Sequence, residues 1–228
     1  MKKSSPNNSA NSTNVKAVLF DLDGTLLDTA RDMIAAINKI RISLDMAEME
    51  YDKLRPFVSH GGIAMVREGL HLKENHPDFD ERKQQFLNIY KDNIANETRL
   101  FPGMDIVIDA LDKKNIPWGI VTNKPEWLTH PLLKKLNLNE RSKVTICGDT
   151  LPQRKPDPTP LLEACKIVGV APENCIYIGD AERDIEAGRN AGIKSYIATF
   201  GYIGDNDNTD DWNADGMIAS PEDLIKYL

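Results

Sequence analysis

The chain has 228 residues, of which 41% are hydrophobic, and a formal net charge of −7. Such a length can bury an adequate core, in one large domain or in a domain with a sizeable insert. The chain has 35 acidic and 28 basic residues, and this acidic balance argues against nucleic acid as the substrate. No apolar run approaches the length of a membrane span, so we expect no membrane contact.

The first fourteen residues form a distinct segment that is rich in Asn and Ser and carries two lysines but no acid. This composition predicts a disordered tail over residues 1–14. The chain starts with Met1 and two lysines, but no apolar stretch follows them, so the segment does not resemble a signal peptide. We therefore expect a cytoplasmic protein, and nothing in the sequence implies a protein partner.

An apolar run over residues 15–20 leads directly into the sequence Asp21-Leu22-Asp23-Gly24-Thr25. The run predicts a strand buried on both faces of a parallel sheet, and open α/β folds bind ligands at the carboxyl edge of such a sheet. At that edge Asp21 can attack phosphorus as a carboxylate nucleophile. Asp23 lies on the same side and can protonate the leaving alkoxide, then deprotonate the attacking water. The alternative interpretation is that both aspartates merely cap a turn.

Residues 28–97 carry apolar residues at helical spacing and no convincing strand, which predicts an all-helical insert. A proline and two glycines interrupt the helical pattern over residues 54–62, and we expect a loop there that faces the site of phosphoryl transfer. On this loop Arg55 can pair with a substrate carboxylate, while Ser59 and His60 can donate hydrogen bonds. The alternatives are a solvated surface charge for Arg55 and a helix-end position without a ligand for His60.

Helical and strand patterns alternate from Phe101 onward, which predicts a parallel sheet with right-handed crossovers. The predicted fold class is therefore α/β, with a Rossmann-like parallel sheet as the core and the helical segment inserted after the first strand. The predicted helices lie near 104–114, 125–136, 158–168 and 181–190, and the predicted strands near 116–121, 143–147, 174–179 and 194–198. Placing the strands near 116–121 and 174–179 beside the first strand brings their carboxyl ends to one edge.

Two segments of this second part are suited to bind phosphate. The strand near 116–121 ends in Thr122 and Asn123, just before a proline that suits the first turn of a helix. The Thr122 hydroxyl and the helix amides behind it can hold phosphate oxygens. Further along, Lys155 is followed by proline and can place a point charge on the phosphate and neutralise Asp21.

Asp180 and Asp184 follow the strand near 174–179 and are one helical turn apart, so both can point at one hard cation. Together with Asp21 and Asp23 they predict a site of four carboxylates, into which an anionic phosphate must enter. A divalent cation and Lys155 can supply the positive charge that this entry requires. All-oxygen ligands favour Mg²⁺.

The order of these motifs resembles that of the haloacid dehalogenase superfamily of phosphohydrolases: strand-DxDGT, strand-TN, Lys-Pro and strand-GDxxxD. The resemblance covers residues 15–228. It implies a Rossmann-like catalytic core made of residues 15–27 and 98–228, with residues 28–97 as a helical cap. It also implies a Mg²⁺-dependent phosphomonoester hydrolase that acts on a small phosphorylated metabolite.

Closer likenesses bear on the substrate. The cap length and the sequence of residues 179–185 are similar to those of bacterial phosphoglycolate phosphatases, which implies a small carboxylated phosphate ester. The stretch from Gly201 to Asp215 resembles a branch that acts on N-acetylmuramic acid 6-phosphate in cell-wall recycling, and the sequence leaves both substrates open. Two further alternatives are a sugar phosphomutase, which shares every motif but keeps water off the aspartyl phosphate, and a non-catalytic phosphate-binding protein.

Overall fold

The computed structural model describes residues 15–228, and the tail predicted over residues 1–14 lies outside the described residues. In chain order the strands are β1 (Ala17–Phe20), β2 (Leu27–Asp28), β3 (Arg99–Leu100), β4 (Trp118–Val121), β5 (Val144–Ile146), β6 (Cys175–Gly179), β7 (Lys194–Ala198) and β8 (Gly216–Ile218). Six of them form one sheet in the order β5-β4-β1-β6-β7-β8, and every neighbouring pair in it is parallel. The predicted α/β class with a parallel sheet is confirmed.

The helices alternate with these strands in the second part of the chain. In chain order they are α1 (Ala30–Ser43), α2 (Tyr51–Leu54), α3 (Gly61–Leu70), α4 (Phe79–Asp92), α5 (Met104–Lys113), α6 (Glu126–Lys135), α7 (Thr159–Val168) and α8 (Glu182–Asn190). A 3₁₀ segment, Arg55–His60, joins α2 to α3. Within residues 15–228, no helix has both the length and the apolar character needed to cross a bilayer.

The first strand lies in the middle of the sheet and is buried on both faces. Val18 and Phe20 belong to one hydrophobic cluster, whereas Ala17 and Leu19 belong to another. Because successive side chains of a strand point to opposite faces, these two clusters cover the two sides of the sheet. Both faces of the strand therefore require apolar residues, which explains the unbroken apolar run in the sequence.

The strand order brings the predicted motifs to one edge of the sheet. β1 is flanked by β4 and β6, and residues of both neighbours pair in parallel register with Phe20. Asp21, Thr122 and Asp180 each follow the end of one of these three central strands. The sequence predicted this central placement, and it provides the platform for the site described below.

The helices α1 to α4 occupy the chain between β2 and β3 and pack on one another. A Cβ atom on Gly69 of α3 would lie 2.5 Å from the side chain of Ile37 on α1, so these helices approach more closely than a larger residue allows. At both ends of this helical segment, β2 and β3 pair as a two-stranded antiparallel ribbon. The assignment of residues 28–97 to a separate cap stays a prediction.

Three short strands were not predicted from the sequence. β2 and β3 have two residues each, and β8 has three. Segments this short cannot display the alternation or the apolar run by which a strand is recognised. β8 also follows a polar stretch rich in Asn and Asp, so its pairing with β7 depends on the tertiary fold.

Candidate active site

Lys155 is almost fully buried beyond the end of β1 and lies at the centre of the site. Its Nζ lies 2.8 Å from Oδ1 of Asp21 and 2.8 Å from Oδ1 of Asp184. The same nitrogen donates to the main-chain carbonyl of Val121 at 2.8 Å and to the hydroxyl of Tyr177 at 2.7 Å. Lys155 and Asp21, which the sequence analysis paired, are therefore in direct contact, and one ammonium is shared by two carboxylates.

The carboxylates of Asp21, Asp180 and Asp184 form a buried acidic group, with one oxygen of each within 4.8 Å of the others. Burial raises the pKa of Asp21, and the charge of Lys155 opposes this shift. Burial also raises the pKa of Asp180 to about 7, with further contributions from Asp21 and Asp184. Burial and the neighbouring charges thus leave Asp180 hard to ionise, and a bound cation would relieve that cost. This acidic group can bind a metal ion.

Asp180 is held from the helical segment as well as from the sheet. Its Oδ2 accepts hydrogen bonds from the Ser59 hydroxyl at 2.7 Å and from the main-chain N–H of Tyr202 at 2.8 Å. The Ser59 hydroxyl also lies 3.1 Å from the main-chain carbonyl oxygen of Asp23. In addition, Nη2 of Arg183 donates to the carbonyl oxygen of Ser59 at 2.6 Å. These contacts fix the 3₁₀ segment against the carboxyl ends of β1 and β6.

The carboxylate of Asp23 is directed elsewhere. It accepts Nζ of Lys124 at 2.9 Å on Oδ1 and at 3.2 Å on Oδ2, and Oδ1 also accepts the Thr29 hydroxyl at 2.7 Å. The sequence analysis counted Asp23 among four metal-binding carboxylates. The structure groups only the other three, and it engages Asp23 with a lysine instead.

Thr122 and Asn123 follow β4 and lie beside Asp21, but they differ in their hydrogen bonds. The Thr122 Oγ1 accepts the main-chain N–H of Lys124 at 3.1 Å, so the hydroxyl proton is left to donate. Asn123 is bonded to the main chain of Lys155 on both sides of its amide: Nδ2 donates to the carbonyl at 2.9 Å, and Oδ1 accepts the N–H at 3.1 Å. Asn123 therefore holds the Lys155 loop in place.

A cavity of about 470 Å³ opens beside Asp21 and Asp23. Ser59 and His60 line it, as the sequence analysis expected of the loop that carries them. Its cationic lining consists of Lys124, Arg154, Lys155 and Arg183, and its apolar lining includes Met33, Val58, Ile63, Phe86, Leu87 and Leu128. The cavity thus combines positive charge near the acidic group with an extended apolar surface.

Arg55 does not line this cavity, although the sequence analysis proposed it as the partner of a substrate carboxylate. Its Nη2 donates to the main-chain carbonyl of Phe200 at 2.9 Å, and its guanidinium lies 5.0 Å from the centre of the Tyr202 ring. These contacts join the 3₁₀ segment to the loop after β7. The side chain is neither a free surface charge nor positioned toward the acidic group.

Sequence reasoning did not assign a role to four residues that the structure places in the site. They are Tyr90, Lys124, Arg154 and Arg183. A signal existed for Lys124, which directly follows Thr122 and Asn123. No local signal existed for Tyr90, because only the packing of α4 brings it to Lys124, 34 positions away in the chain.

Comparison with known proteins shows which family has this fold and this order of motifs. The family model described as haloacid dehalogenase-like hydrolase matches residues 18–198. The chain therefore belongs to the haloacid dehalogenase-like hydrolases, and like its curated relatives it is a phosphomonoester hydrolase.

Two curated relatives are similar over nearly their whole length. An N-acetylmuramic acid 6-phosphate phosphatase of Pseudomonas aeruginosa is 40% identical, and the match covers 94% of this chain and 95% of that protein. A phosphoglycolate phosphatase of Xanthomonas campestris is 42% identical, with 92% and 94% covered. Among solved structures, a predicted phosphoglycolate phosphatase of Haemophilus somnus has a TM-score of 0.81 at 26% identity and covers 94% of this chain and 98% of its own.

Proposed function

We propose that the protein hydrolyses its phosphomonoester through an aspartyl phosphate formed on Asp21. The observation that carries this proposal is the contact of the Asp21 carboxylate with Lys155 at the end of β1, within reach of two more buried carboxylates. Asp21 attacks phosphorus, and Lys155 balances the charge that collects between nucleophile and phosphate. Asp23 gives a proton to the leaving oxygen and later takes one from the attacking water.

Thr122 supports this reaction by holding the phosphoryl group. Because its oxygen already accepts the Lys124 amide, its proton is available for a phosphoryl oxygen. Asn123 acts through the Lys155 loop, to which it is bonded on both sides. The two residues thus differ in their proposed roles: Thr122 contacts the phosphate, whereas Asn123 positions the lysine.

The acidic group fits Mg²⁺, because its donors are all carboxylate oxygens and Asp180 is hard to ionise without a cation beside it. Asp21 and Asp180 would offer oxygens to the ion. Asp184 is already bonded to Lys155 and to the main-chain N–H of Ala181 at 3.1 Å, so it adds mainly its charge. When bound, Mg²⁺ would supply charge stabilisation for the transferred phosphoryl group.

The leaving group has to fit the cavity. We propose a small phosphate ester whose leaving group carries a carboxylate, as in the relatives that are named phosphoglycolate phosphatases. The cavity volume and apolar lining favour a second candidate, N-acetylmuramic acid 6-phosphate, because two carbons of a glycolate leave most of the 470 Å³ empty. Arg154, which is exposed at the cavity rim, replaces Arg55 as the proposed partner of the carboxylate.

The test is phosphate release from phosphoglycolate, N-acetylmuramic acid 6-phosphate and N-acetylglucosamine 6-phosphate, with Mg²⁺ and with EDTA. The third ester is the matched control, because it keeps the sugar and the acetyl group but lacks the carboxylate. We expect Mg²⁺-dependent release with a marked preference for one of the two carboxylated esters. Absence of release from all three would contradict the proposal, and isomerisation that requires a sugar bisphosphate would indicate a mutase. A cytoplasmic location stays a prediction from the sequence, as does the lack of nucleic acid, membrane or protein partners.

A further inference from the structure

Lys124 connects the helical segment to the carboxylate of Asp23. Its Nζ contacts both oxygens of Asp23, at 2.9 and 3.2 Å, and the hydroxyl of Tyr90 at 3.1 Å. Tyr90 belongs to α4, whereas Asp23 and Lys124 follow β1 and β4. The ammonium is nearly inaccessible to solvent, and the Tyr90 side chain is fully buried. The three groups therefore form one enclosed chain of contacts between α4 and the sheet edge.

The main chain of Lys124 is fixed to the core. Its N–H donates to Thr122 Oγ1 at 3.1 Å, and its carbonyl accepts the N–H of Gly148 at 2.9 Å. Only the side chain is free to choose among rotamers, and Tyr90 is its contact from the helical segment. Burial lowers the pKa of Lys124, but Asp23 and the Tyr90 hydroxyl outweigh that effect and keep the lysine charged.

A general acid has to present its proton along the line to the leaving oxygen, and small misplacements of catalytic groups reduce rates strongly. Within residues 15–228, the Asp23 carboxylate accepts two hydrogen bonds from Lys124 and one from Thr29. Oδ1 accepts the two shorter bonds, at 2.7 Å from Thr29 and 2.9 Å from Lys124, and Oδ2 accepts the longer one from Lys124 at 3.2 Å. The orientation of Asp23 therefore depends on where Lys124 is held.

We propose that Tyr90 is a positioning residue for proton transfer to the leaving group, and that it acts by holding Lys124 against Asp23. The inference rests on the proposed role of Asp23 as the general acid. On this proposal, acid catalysis depends on how α4 packs against the sheet edge, because the Tyr90 hydroxyl is the group of that helix that contacts Lys124. Phosphoryl transfer to Asp21 itself does not need this contact when the leaving group is a weak base.

The experiment uses Tyr90→Phe and a series of aryl phosphates whose leaving groups differ in basicity but hardly in shape. Phenylalanine keeps the ring, whose centroid lies 6.3 Å from that of Phe86, and removes only the hydroxyl. The readout is kcat/KM, because it covers the steps up to formation of the phosphoenzyme. We expect p-nitrophenyl phosphate to change by less than about twofold and phenyl phosphate to fall about tenfold, a part of the usual contribution of a general acid.

The slope of log kcat/KM against the leaving-group pKa should thus become steeper in Tyr90→Phe. The matched control is Tyr51→Phe, which removes a tyrosine hydroxyl from α2, outside the cavity, and should leave the slope unchanged. A uniform fall for all esters in Tyr90→Phe would overturn the proposal, because it would indicate a general effect on folding or binding. No change for any ester would overturn it as well.

Asp23→Asn separates failure of this inference from failure of the proposed function. If Asp23 is the general acid, Asp23→Asn should steepen the slope by itself, and adding Tyr90→Phe to it should have no further effect. A slope in Asp23→Asn that equals the wild-type slope would contradict the proposed role of Asp23, whatever the result for Tyr90→Phe. A steep slope in Asp23→Asn together with an additional effect of Tyr90→Phe would retain that role and reject the link through Lys124.

Discussion

The Ser59 hydroxyl donates a hydrogen bond of 2.7 Å to Oδ2 of Asp180, so a residue of the helical segment touches a carboxylate of the acidic group. The main-chain N–H of Tyr202 contacts the same oxygen from the sheet side. A hydrogen bond donated to a carboxylate favours its charged form, which is also the form that binds a cation. We therefore expect Ser59 to affect cation binding at Asp180, in addition to lining the cavity.

Ser59→Ala should weaken the response to Mg²⁺. Loss of the hydroxyl leaves the ionised form of Asp180 with one donor fewer, and a hydrogen bond to a charged group is worth about 1.5–3 kcal/mol. The half-saturating Mg²⁺ concentration should therefore rise on the order of tenfold, with little change in activity at saturation. Ser43→Ala, at an exposed position of α1, is the control. An unchanged Mg²⁺ titration in Ser59→Ala would disprove the link.

Asp21→Asn should abolish turnover and leave the fold intact. An amide keeps the shape of the side chain but cannot act as the nucleophile. Lys155 retains Asp184, Tyr177 and the Val121 carbonyl as partners, so its buried ammonium is not left without hydrogen-bond acceptors. The measurement is phosphate release together with circular dichroism and thermal unfolding. Appreciable activity in a variant with an unchanged spectrum would refute the covalent route.

The stability of the metal-free protein should depend on the protonation of Asp180. Burial and the neighbouring carboxylates raise its pKa from 3.8 to about 7. Between these two pH values the folded state therefore holds a proton that the unfolded state has released. The stabilisation from this proton is fully present below 3.8 and is lost as the pH rises through about 7. In EDTA, wild type should therefore lose stability relative to Asp180→Asn on going from below to above that pKa.

Urea unfolding at one pH on each side of the Asp180 pKa measures this difference. Asp205→Asn, at an exposed position, is the control and should track wild type at both values. Added Mg²⁺ should stabilise wild type more at the higher pH, because the cation competes with the proton for the carboxylate. A pH-independent difference between wild type and Asp180→Asn would contradict the assigned pKa.

Arg154→Ala and Arg55→Ala should differ in the property that they change. Removing the guanidinium at the cavity rim should lower kcat/KM for the preferred carboxylated ester about fivefold, since exposed ion pairs are worth up to about 1 kcal/mol. The ester without a carboxylate should be unaffected. Arg55→Ala should instead lower the melting temperature, because it removes the bond to Phe200 and the contact with Tyr202. Ester-selective loss in Arg55→Ala would restore the original prediction from the sequence.

The difference between these two arginines shows how far the sequence alone could go. The positions of Asp21, Thr122 and Asp180 follow from strands that end at the edge of a parallel sheet, which is a local pattern combined with one topological rule. The direction of the Arg55 side chain depends on a carbonyl 145 positions away. No periodicity or motif encodes such a contact, because it forms only when the 3₁₀ segment is packed on the loop after β7.

The direction of the Asp23 side chain also depends on contacts that form only in the folded protein. Its place after β1 was readable from the sequence, whereas its engagement with Lys124 and Thr29 was not. Asp21 and Asp23 are two residues apart, and on a regular strand this spacing would place both side chains on the same side of the sheet. A turn at Gly24, with a φ of 89°, follows directly after Asp23. Within such a turn the side-chain direction is decided by the partners that are available, and here a buried lysine is nearby.

Leu27 pairs with Leu100 and Asp28 with Arg99 in the antiparallel ribbon of β2 and β3. The helical segment thus begins after β2 and ends before β3, and these two strands lie one strand spacing apart, about 5 Å. We therefore expect that a helical segment of different length can be joined at these two points, because the two junctions lie side by side. A helical segment grafted at the ribbon would have to supply counterparts of Ser59 and Tyr90, because these two side chains contact Asp180 and Lys124 at the edge of the sheet.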